Sequence, residues 1–188
     1  MTARPDTSIQ ERAPTGVAVT EASVFTQNHF RQVLGHYPTG VTVVTAVDNT
    51  GQPAGMAVGS FTSMSLKPPL VAFLPDKSST SFPRIRAAES FCVNILSDVQ
   101  HDLCHRFARS GGDKFTGLEW TRSPSGAPVL AGVAAWIDCS FDSVVDAGDH
   151  YLVVGRVLNL AHAVGSKPLL FVKGRLGTFN ESITSAVQ

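Results

Sequence analysis

Short apolar runs alternate along this chain with turn-forming residues. The run Val41–Val47 is rich in β-branched side chains, and the turn signature Asp48-Asn49-Thr50-Gly51 separates it from a second extended run, Gly55–Leu66. β-Branched residues favour strands, while Asn and Gly adopt the backbone conformations that tight turns need. The two runs are therefore predicted to form a β-hairpin.

Further apolar runs follow. Prolines bound the run Leu70–Leu74, and Phe91–Leu96 is its counterpart, with helical composition over Thr80–Ala88 between them. This order predicts a strand, a helix and a strand. Leu169–Val172 predicts a last strand, which precedes Lys173-Gly174-Arg175 and a short tail.

A longer hairpin is predicted within Ala134–Leu160, where two strand-like stretches flank the turn Asp146-Ala147-Gly148-Asp149. Apolar and polar residues alternate along the first stretch, which places on opposite faces the sets Ile137, Cys139, Phe141 and Asp138, Ser140, Asp142. Because side chains of a strand point alternately to its two faces, the polar set is predicted to meet solvent.

Two amphipathic helices are predicted. Thr26–Leu34 places three apolar residues on one helical face, Phe30, Val33 and Leu34. Ser97-Asp98-Val99-Gln100 reads as a capping box, in which the Ser97 side chain bonds the Gln100 amide and Gln100 reaches back. Apolar residues continue at helical spacing after it, namely Val99, Leu103 and Phe107.

These elements predict a mainly β domain with helical insertions. A chain of 188 residues is the size of one domain. About six or seven strands, mostly joined as hairpins, favour an antiparallel barrel or sandwich. Residues 1–25 have the composition of a disordered tail, so the domain is expected over 26–180, followed by a tail at 181–188.

Charge and cysteine content restrict the partners and the compartment. Fifteen Lys and Arg balance fifteen Asp and Glu, so no long-range electrostatic field is expected that would attract nucleic acid or an anionic membrane surface. The longest uncharged apolar run, Pro68–Pro75, is too short to span a bilayer. Cys92, Cys104 and Cys139 lack metal or disulfide spacing, and free thiols predict a cytoplasmic protein.

Gly55–Leu66 is unusually rich in small and hydroxyl residues. Small side chains let a flat ligand lie against the backbone, and the hydroxyls of Ser60, Ser63 and Ser65 could bond its polar edge. An exposed, Ser-rich edge strand is the alternative of about equal weight.

A second polar run, Lys77-Ser78-Ser79-Thr80, comes just before the predicted helix. A cation, hydroxyls and unpaired amides at a helix start form a site suited to phosphate. Simple capping of the helix by Ser79 or Thr80 is the alternative, and the more common use of such a run.

Histidines offer two further candidates. His150 follows the turn Gly148-Asp149 and could donate a hydrogen bond to a ligand or cap the hairpin. His101 and His105 would share one helical face, but no third ligand is nearby and Arg106 would repel a cation, so no metal site is predicted.

Several short motifs follow one another in a specific order along residues 28–180. They are Phe30-Arg31-x-x-Leu34-Gly35, Thr39-Gly40-Val41-Thr42-Val43-Val44-Thr45, Gly55-Met56, Ser60-Phe61-x-Ser63-x-Ser65-Leu66-x-Pro68-Pro69-Leu70-Val71, Phe91-x-Val93-Asn94-Ile95-Leu96, Arg106-Phe107-Ala108, Asp113-Lys114-Phe115 and Gly148-Asp149-His150. Each is weak alone, but the ordered set resembles the flavin reductase family, the reductase components of two-component flavin-dependent monooxygenases.

The resemblance implies an FMN-binding split β-barrel of Greek-key, antiparallel strands, assembled as a homodimer. It implies reduction of FAD or FMN by NADH, or by NADPH, and delivery of the reduced flavin to a partner monooxygenase. Hydride transfer between two stacked rings needs positioning rather than an acid or base, so no catalytic side chain is predicted. The alternatives are an electron carrier or an oxidase that retains its FMN.

The resemblance also assigns site residues by position. The flavin ring and its ribityl chain would lie against Met56, Ala57, Val58, Gly59, Ser60, Ser63, Ser65 and Leu66. Phosphate and any adenylate would meet Asp76, Lys77, Ser78, Ser79 and Thr80. The site would be closed by Arg106 and Phe107, with Lys114 and Phe115 from the same or the other subunit. The nicotinamide side would meet Asp149, His150, Phe171, Lys173, Gly174 and Arg175.

Overall fold

The computed structural model describes residues 25–180, so the predicted tails lie almost entirely outside the described residues. Within that range there are three helices: α1 (Gln27–Leu34), α2 (Phe82–Arg86) and α3 (His101–Ala108). The same range holds twelve strands: β1 (Thr39–Gly40), β2 (Thr42–Val47), β3 (Pro53–Val58), β4 (Thr62–Leu66), β5 (Pro69–Phe73), β6 (Ser90–Ile95), β7 (Trp120–Arg122), β8 (Pro128–Leu130), β9 (Ala135–Ala147), β10 (His150–His162), β11 (Leu169–Val172) and β12 (Arg175–Thr178).

One sheet of seven strands organises the molecule. Its order is β3-β2-β6-β9-β10-β5-β4, and every neighbouring pair is antiparallel. A three-stranded sheet, β1-β11-β12, and the β7–β8 pair complete the strands of the described part. The expected mainly β fold with helical insertions is confirmed. None of the described helices is long and apolar enough to cross a membrane.

The long hairpin of β9 and β10 is confirmed, and its turn lies where the sequence predicts it. His150 pairs with Ala147 beside the turn, and the pairing continues to His162 opposite Ala135. β6 bonds the free edge of β9, and β5 bonds the free edge of β10. The hairpin therefore joins the two halves of the main sheet.

The prediction of one continuous strand over Gly55–Leu66 is wrong. β3 ends at Val58, and the chain turns through Gly59-Ser60-Phe61 before β4 begins. β4 then pairs with β5 rather than with β2. The Ser60 hydroxyl fixes this turn, because it accepts from the Leu74 amide and donates to the Leu74 carbonyl, both at 3.0 Å.

The helix predicted over Thr80–Ala88 is shorter in the structure, since α2 spans five residues. Its Arg84 reaches the turn between β2 and β3, where the Nη2 of Arg84 lies 2.6 Å from Oδ2 of the buried Asp48. Hydrogen bonds from Thr50 and from Arg84 hold the pKa of Asp48 well below its usual range. This ion pair connects α2 to the hairpin of β2 and β3.

The capping box before α3 forms only in part. The Gln100 side chain accepts from the Ser97 amide at 3.0 Å, as predicted. The Ser97 hydroxyl does not bond the Gln100 amide, however, and is a buried oxygen without a partner in the described structure. Val99 precedes the helix and is 86% exposed, so the apolar face of α3 consists of Leu103 and Phe107 without it.

The prediction that the polar face of β9 meets solvent is wrong at Asp138, which is fully buried. Its carboxylate accepts hydrogen bonds from the Ser123 hydroxyl at 2.7 Å and from the Ser125 amide at 2.9 Å. Both serines come from the loop between β7 and β8, a hairpin that the apolar pattern did not predict. A buried carboxylate needs such partners, and they come from a distant part of the chain.

The cysteines are free, and burial raises the pKa of the thiols, that of Cys139 to about 12. Aromatic rings fill the core beside Cys139. Phe73 and Phe91 meet edge to face with centroids 5.4 Å apart. Gly155 of β10 lies directly against the Phe91 ring, at a register shift in the β9–β10 pairing.

Gly155→Ala is predicted to destabilise the protein by about 1–3 kcal/mol, the usual cost of overpacking a filled core. A Cβ at this position would lie 2.4 Å from the Phe91 ring, so the ring or the strand must move. Chemical denaturation at matched protein concentration measures the change. Gly40→Ala is the control, because a Cβ at Gly40 meets nothing within 4 Å. Equal stability of the two variants would contradict the prediction.

Candidate functional site

A groove of about 230 Å³ lies between β3, the segment Asp76–Ser81 and the C-terminal end of α3. We call it the central groove. It brings together eight residues predicted from the sequence to bind flavin: Met56, Ala57, Asp76, Ser78, Ser79, Thr80, Phe107 and Lys114. Met56 and Ala57 supply an apolar wall, and the serines and Thr80 supply a polar one.

The polar wall is held in shape by its own hydrogen bonds. The Asp76 carboxylate accepts from both the hydroxyl and the amide of Ser78, each at 2.7 Å, and these bonds lower the pKa of Asp76. The Ser79 hydroxyl accepts from the amide of Phe82, the first residue of α2, at 3.2 Å. The Ser79 hydroxyl therefore satisfies an amide at the start of α2, although the N-cap residue of that helix is Ser81, whose side chain makes no capping hydrogen bond. A helix of a single turn offers little dipole for an anion.

Thr80 fastens the loop that follows α3. Its hydroxyl accepts from the Gly111 amide at 3.0 Å and lies 3.2 Å from the Ser110 hydroxyl. Gly111 and Gly112 both have positive φ, a conformation that glycine adopts without strain. This loop separates the central groove from a larger cleft of about 660 Å³, and both are lined by Thr80, Ser81 and Lys114.

The floor of the groove depends on a close contact between β3 and α3. The Phe107 ring is buried and packs edge to face against Phe115, with centroids 5.2 Å apart. A Cβ on Gly55 would lie only 2.6 Å from the Phe107 ring. Glycine at position 55 therefore lets the ring approach the backbone of β3.

Lys114 is almost fully buried, at 7% exposure. Its ammonium donates to the carbonyls of Gly55 and Phe107 and to the hydroxyl of Ser81, at 3.0 to 3.3 Å. Burial lowers the pKa of Lys114. Lys114 and Phe115 thus pack into their own subunit.

Several residues predicted for the flavin site do not line the central groove. Val58 packs in the core, and Ser60 bonds Leu74 as described above. Gly59 lies in the same turn, and three predicted residues lie on the edge strand β4: Ser63, Ser65 and Leu66. Leu66 is 89% exposed. β4 is therefore an exposed edge strand, and within this run only Met56 and Ala57 of β3 line the central groove.

Two predicted cations also point elsewhere. Lys77 forms an ion pair with Asp146 at 3.0 Å, at the tip of the long hairpin. Arg106 donates to the Thr116 carbonyl at 2.5 Å, which anchors the loop after α3. A cation that the sequence reasoning missed, Arg109, lines the groove together with Ser81, Ala108 and Ser110. Its position in the sequence, between the predicted helix and the pair Gly111-Gly112, could have indicated a role for Arg109.

The predicted dinucleotide residues fall into two places. Asp149 and His150 lie beside the groove, because the Lys77 amide donates to the Asp149 carbonyl at 2.9 Å and Asp76 forms a β-bridge with His150. The Nδ1 of His150 lies 2.8 Å from the Asp149 carboxylate, and this hydrogen bond lowers the pKa of Asp149.

The second set belongs to β11, β12 and their turn: Phe171, Lys173, Gly174 and Arg175. Phe171 pairs with Thr39 of β1, and the Lys173 amide donates to the Gly35 carbonyl at the end of α1, at 2.9 Å. These contacts hold the β11–β12 turn against α1 rather than against the central groove. Among residues 25–180 no group of His, Cys, Asp and Glu is suited to hold a metal ion.

Comparison with known proteins identifies the fold. The family model for the flavin reductase like domain matches residues 34–180, which is most of the chain. The chain belongs to the flavin reductase family. A flavin reductase of Pseudomonas putida is 57% identical over 150 residues, covering 80% of this chain and 88% of that protein.

Other relatives carry more specific names. The reductase subunit HsaB of a flavin-dependent monooxygenase from Rhodococcus jostii is 45% identical over 161 residues, covering 86% of this chain and 82% of that protein. The NADH:FAD oxidoreductase SgcE6 of Streptomyces globisporus, solved with NAD and FAD fragments, superposes with a TM-score of 0.77 at 35% identity. That match covers 82% of this flavin reductase and 93% of SgcE6. The antiparallel sheet described above is the split barrel of the family.

Proposed function

We propose that this flavin reductase uses NADH to reduce free FAD or FMN and releases the reduced flavin to a separate flavin-dependent monooxygenase component. The observation that carries the proposal is the central groove, in which eight of the residues assigned by resemblance converge. The names of the relatives support the same reaction, and they do not favour the retained-flavin alternatives.

The groove suits a flavin in its chemistry. Met56 and Ala57 form a surface for an aromatic ring, with small bulk and a polarisable thioether. Ser78, Thr80 and Arg109 line the polar wall, which suits a phosphate. In the proposed complex the ring lies towards β3 and the phosphate towards the loop after α3.

The protein's part in the reaction is to bind, orient and exclude water. When bound, the flavin supplies the hydride acceptor and the dinucleotide supplies the hydride donor. The wall of β3 and the buried Phe107 fix the plane against which one ring stacks, which lowers the entropic cost of reaching the reacting geometry. No side chain is required as an acid or base.

We propose that His150 serves the dinucleotide. Its ring is oriented by Asp149, and its strand reaches the groove from the long hairpin rather than from β3. The second set of residues assigned to NADH, on the β11–β12 turn, lies against α1, and its role remains a proposal that rests on the resemblance alone. The cysteines are free thiols, as in proteins of the reducing cytoplasm, and we propose that the protein is cytoplasmic.

We propose that the flavin reductase is a homodimer. α1 buries no residue within its own subunit, although Phe30, Val33 and Leu34 form an apolar face and are each 49 to 55% exposed. An apolar helix face of this kind is stabilised when a second copy covers it.

The first functional prediction concerns release of the product. Purified protein should be nearly colourless and should oxidise NADH only when FAD or FMN is added, because the wall proposed to meet the ring, Met56 and Ala57, offers it no strong side-chain hydrogen bond. A flavin-dependent hydroxylase behind a dialysis membrane should then receive reduced flavin. One-to-one retention of flavin through gel filtration, with no transfer across the membrane, would favour the electron carrier or oxidase.

The second prediction concerns His150. His150→Ala should raise the KM for NADH several-fold more than the KM for flavin, because the lost donor faces the dinucleotide in the proposed complex. Steady-state kinetics with each substrate varied in turn measures both constants. His162→Ala, at the far end of the same strand, is the control. An equal rise for both substrates, or a lower melting temperature with normal kinetics, would count against this role.

The third prediction concerns assembly. The protein should sediment at about 40 kDa, twice the 19.9 kDa of one chain. Val33→Asp places a charge on the apolar face of α1 and should shift the species towards one chain. Gln32→Asp, on the opposite face of the same helix, should not. A wild-type protein of one chain at micromolar concentration would refute the dimer.

A further inference from the structure

Met56 places a thioether in the wall of the central groove. It lies on β3, is half-buried, and packs against buried residues of the core while it lines the groove. The Ser79 hydroxyl donates to Sδ of Met56 at 3.9 Å, and Ser79 lines the same groove. The sulfur therefore lies at the groove, within reach of small molecules that enter it.

Met64 offers a contrast within the same chain. It lies on the edge strand β4, is 50% exposed and is not one of the residues that line the central groove. The chain has three methionines, and the third, Met1, lies outside the described residues. Of the two thioethers in the described part, both are accessible from solvent, but only that of Met56 belongs to the site.

The proposed reaction supplies an oxidant for a thioether. Reduced flavin that is released and not taken up by a monooxygenase reduces dioxygen, which forms oxidised flavin and hydrogen peroxide. Hydrogen peroxide converts a thioether to a sulfoxide: an S–O bond forms at Sδ, the O–O bond of the peroxide breaks, and the second oxygen leaves as water. The sulfur loses two electrons in this step, and the peroxide gains them.

We infer that Met56 is a reversible oxidation site, at which peroxide lowers the affinity of the central groove for flavin. Oxidation replaces a soft apolar group by a polar one with a strong acceptor oxygen. Because the rest of the side chain packs against the core, the added oxygen lies on the groove side, where the proposed complex places the ring. The ring then loses its contact with the thioether and covers a polar oxygen to which it offers no donor.

This inference rests on the proposed function and adds a means of regulation to the same site. Peroxide accumulates when reduced flavin is made faster than the monooxygenase uses it, and a lower affinity for flavin then slows its production. Methionine sulfoxide reductases, one enzyme for each epimer, convert the sulfoxide back to the thioether. The change at Met56 is therefore reversible.

The cysteines are separated from this effect by burial and by a variant. Cys92 and Cys139 are buried, and burial raises the pKa of the half-buried Cys104 thiol. A protonated thiol reacts slowly with peroxide, because the thiolate is the reactive form. Cys104→Ala is included in the test for this reason.

The test treats the protein with hydrogen peroxide in the dark, without flavin, and then removes the peroxide with catalase. Peptide mass spectrometry gives the fraction of sulfoxide at Met56 and at Met64, and quenching of flavin fluorescence gives the Kd for FMN. The Kd should rise about fivefold in the wild type as Met56 is oxidised. Met64→Leu and Cys104→Ala should show the same rise. Met56→Leu, a change that conserves volume, should keep the Kd of its own untreated sample.

A second measurement requires no substitution at Met56. Met64→Leu leaves Met56 as the one methionine of the described part, and treatment of its oxidised form with both sulfoxide reductases should restore the original Kd. In the wild type, bound FMN should slow the oxidation of Met56 and leave that of Met64 unchanged, because the flavin covers the groove and not β4.

Four outcomes would overturn the inference. They are Met56 that stays unoxidised while Met64 is oxidised, a Kd that full oxidation of Met56 leaves unchanged, the same loss of affinity in Met56→Leu, and a Kd that stays high after Met56 has been reduced again. Wild-type protein that neither binds nor reduces FMN before treatment would instead refute the proposed function. Normal reduction of FMN before treatment, followed by any of the four outcomes, would refute the inference alone.

Discussion

The antiparallel pairing of β9 with β10 is the constraint on which the other parts of this flavin reductase depend. Each strand has 13 residues, and each offers its outer edge to another strand, β6 on one side and β5 on the other. The tip of the hairpin then bonds Pro75–Lys77, the start of the polar wall of the groove. A shift in this register would therefore displace both halves of the sheet and one wall of the site.

The polar wall shows how a short run of hydroxyl residues is shared between structure and binding. Ser79 and Thr80 bond backbone amides of α2 and of the loop after α3, while Ser78 bonds Asp76. Because each of these hydroxyls is held by a hydrogen bond within the protein, the wall is ordered before a ligand arrives. Rigidity orients a ligand, and the apolar wall of Met56 and Ala57 offers its ring no strong side-chain hydrogen bond, which limits the affinity. Both properties suit a protein whose product must leave.

Buried charges in this molecule are compensated in two different ways. Asp48 forms an ion pair with Arg84, and Asp138 accepts a hydrogen bond from the Ser123 hydroxyl. Both contacts connect elements that are distant in the chain. Lys114 instead donates to three neutral acceptors and lines both the central groove and the larger cleft. The two carboxylates are therefore stabilised by pairs with other parts of the chain, whereas the ammonium is held by hydrogen bonds to neutral groups alone.

Local patterns in the sequence determined the strands of the long hairpin and helix α1, because side-chain periodicity and turn chemistry act over a few residues. The ordered motifs also determined the family. Only the tertiary structure decided that β4 pairs with β5 rather than with β2, and that Asp138 is buried. It also decided that Lys77 points away from the central groove and that Arg109 lines it. The break before β4, the burial of Asp138 and the direction of Lys77 depend on partners at least a dozen residues away. These are Leu74 for the Ser60 turn, Ser123 and Ser125 for Asp138, and Asp146 for Lys77. No window along the sequence contains that information, because burial and pairing are set by the packing of the whole sheet.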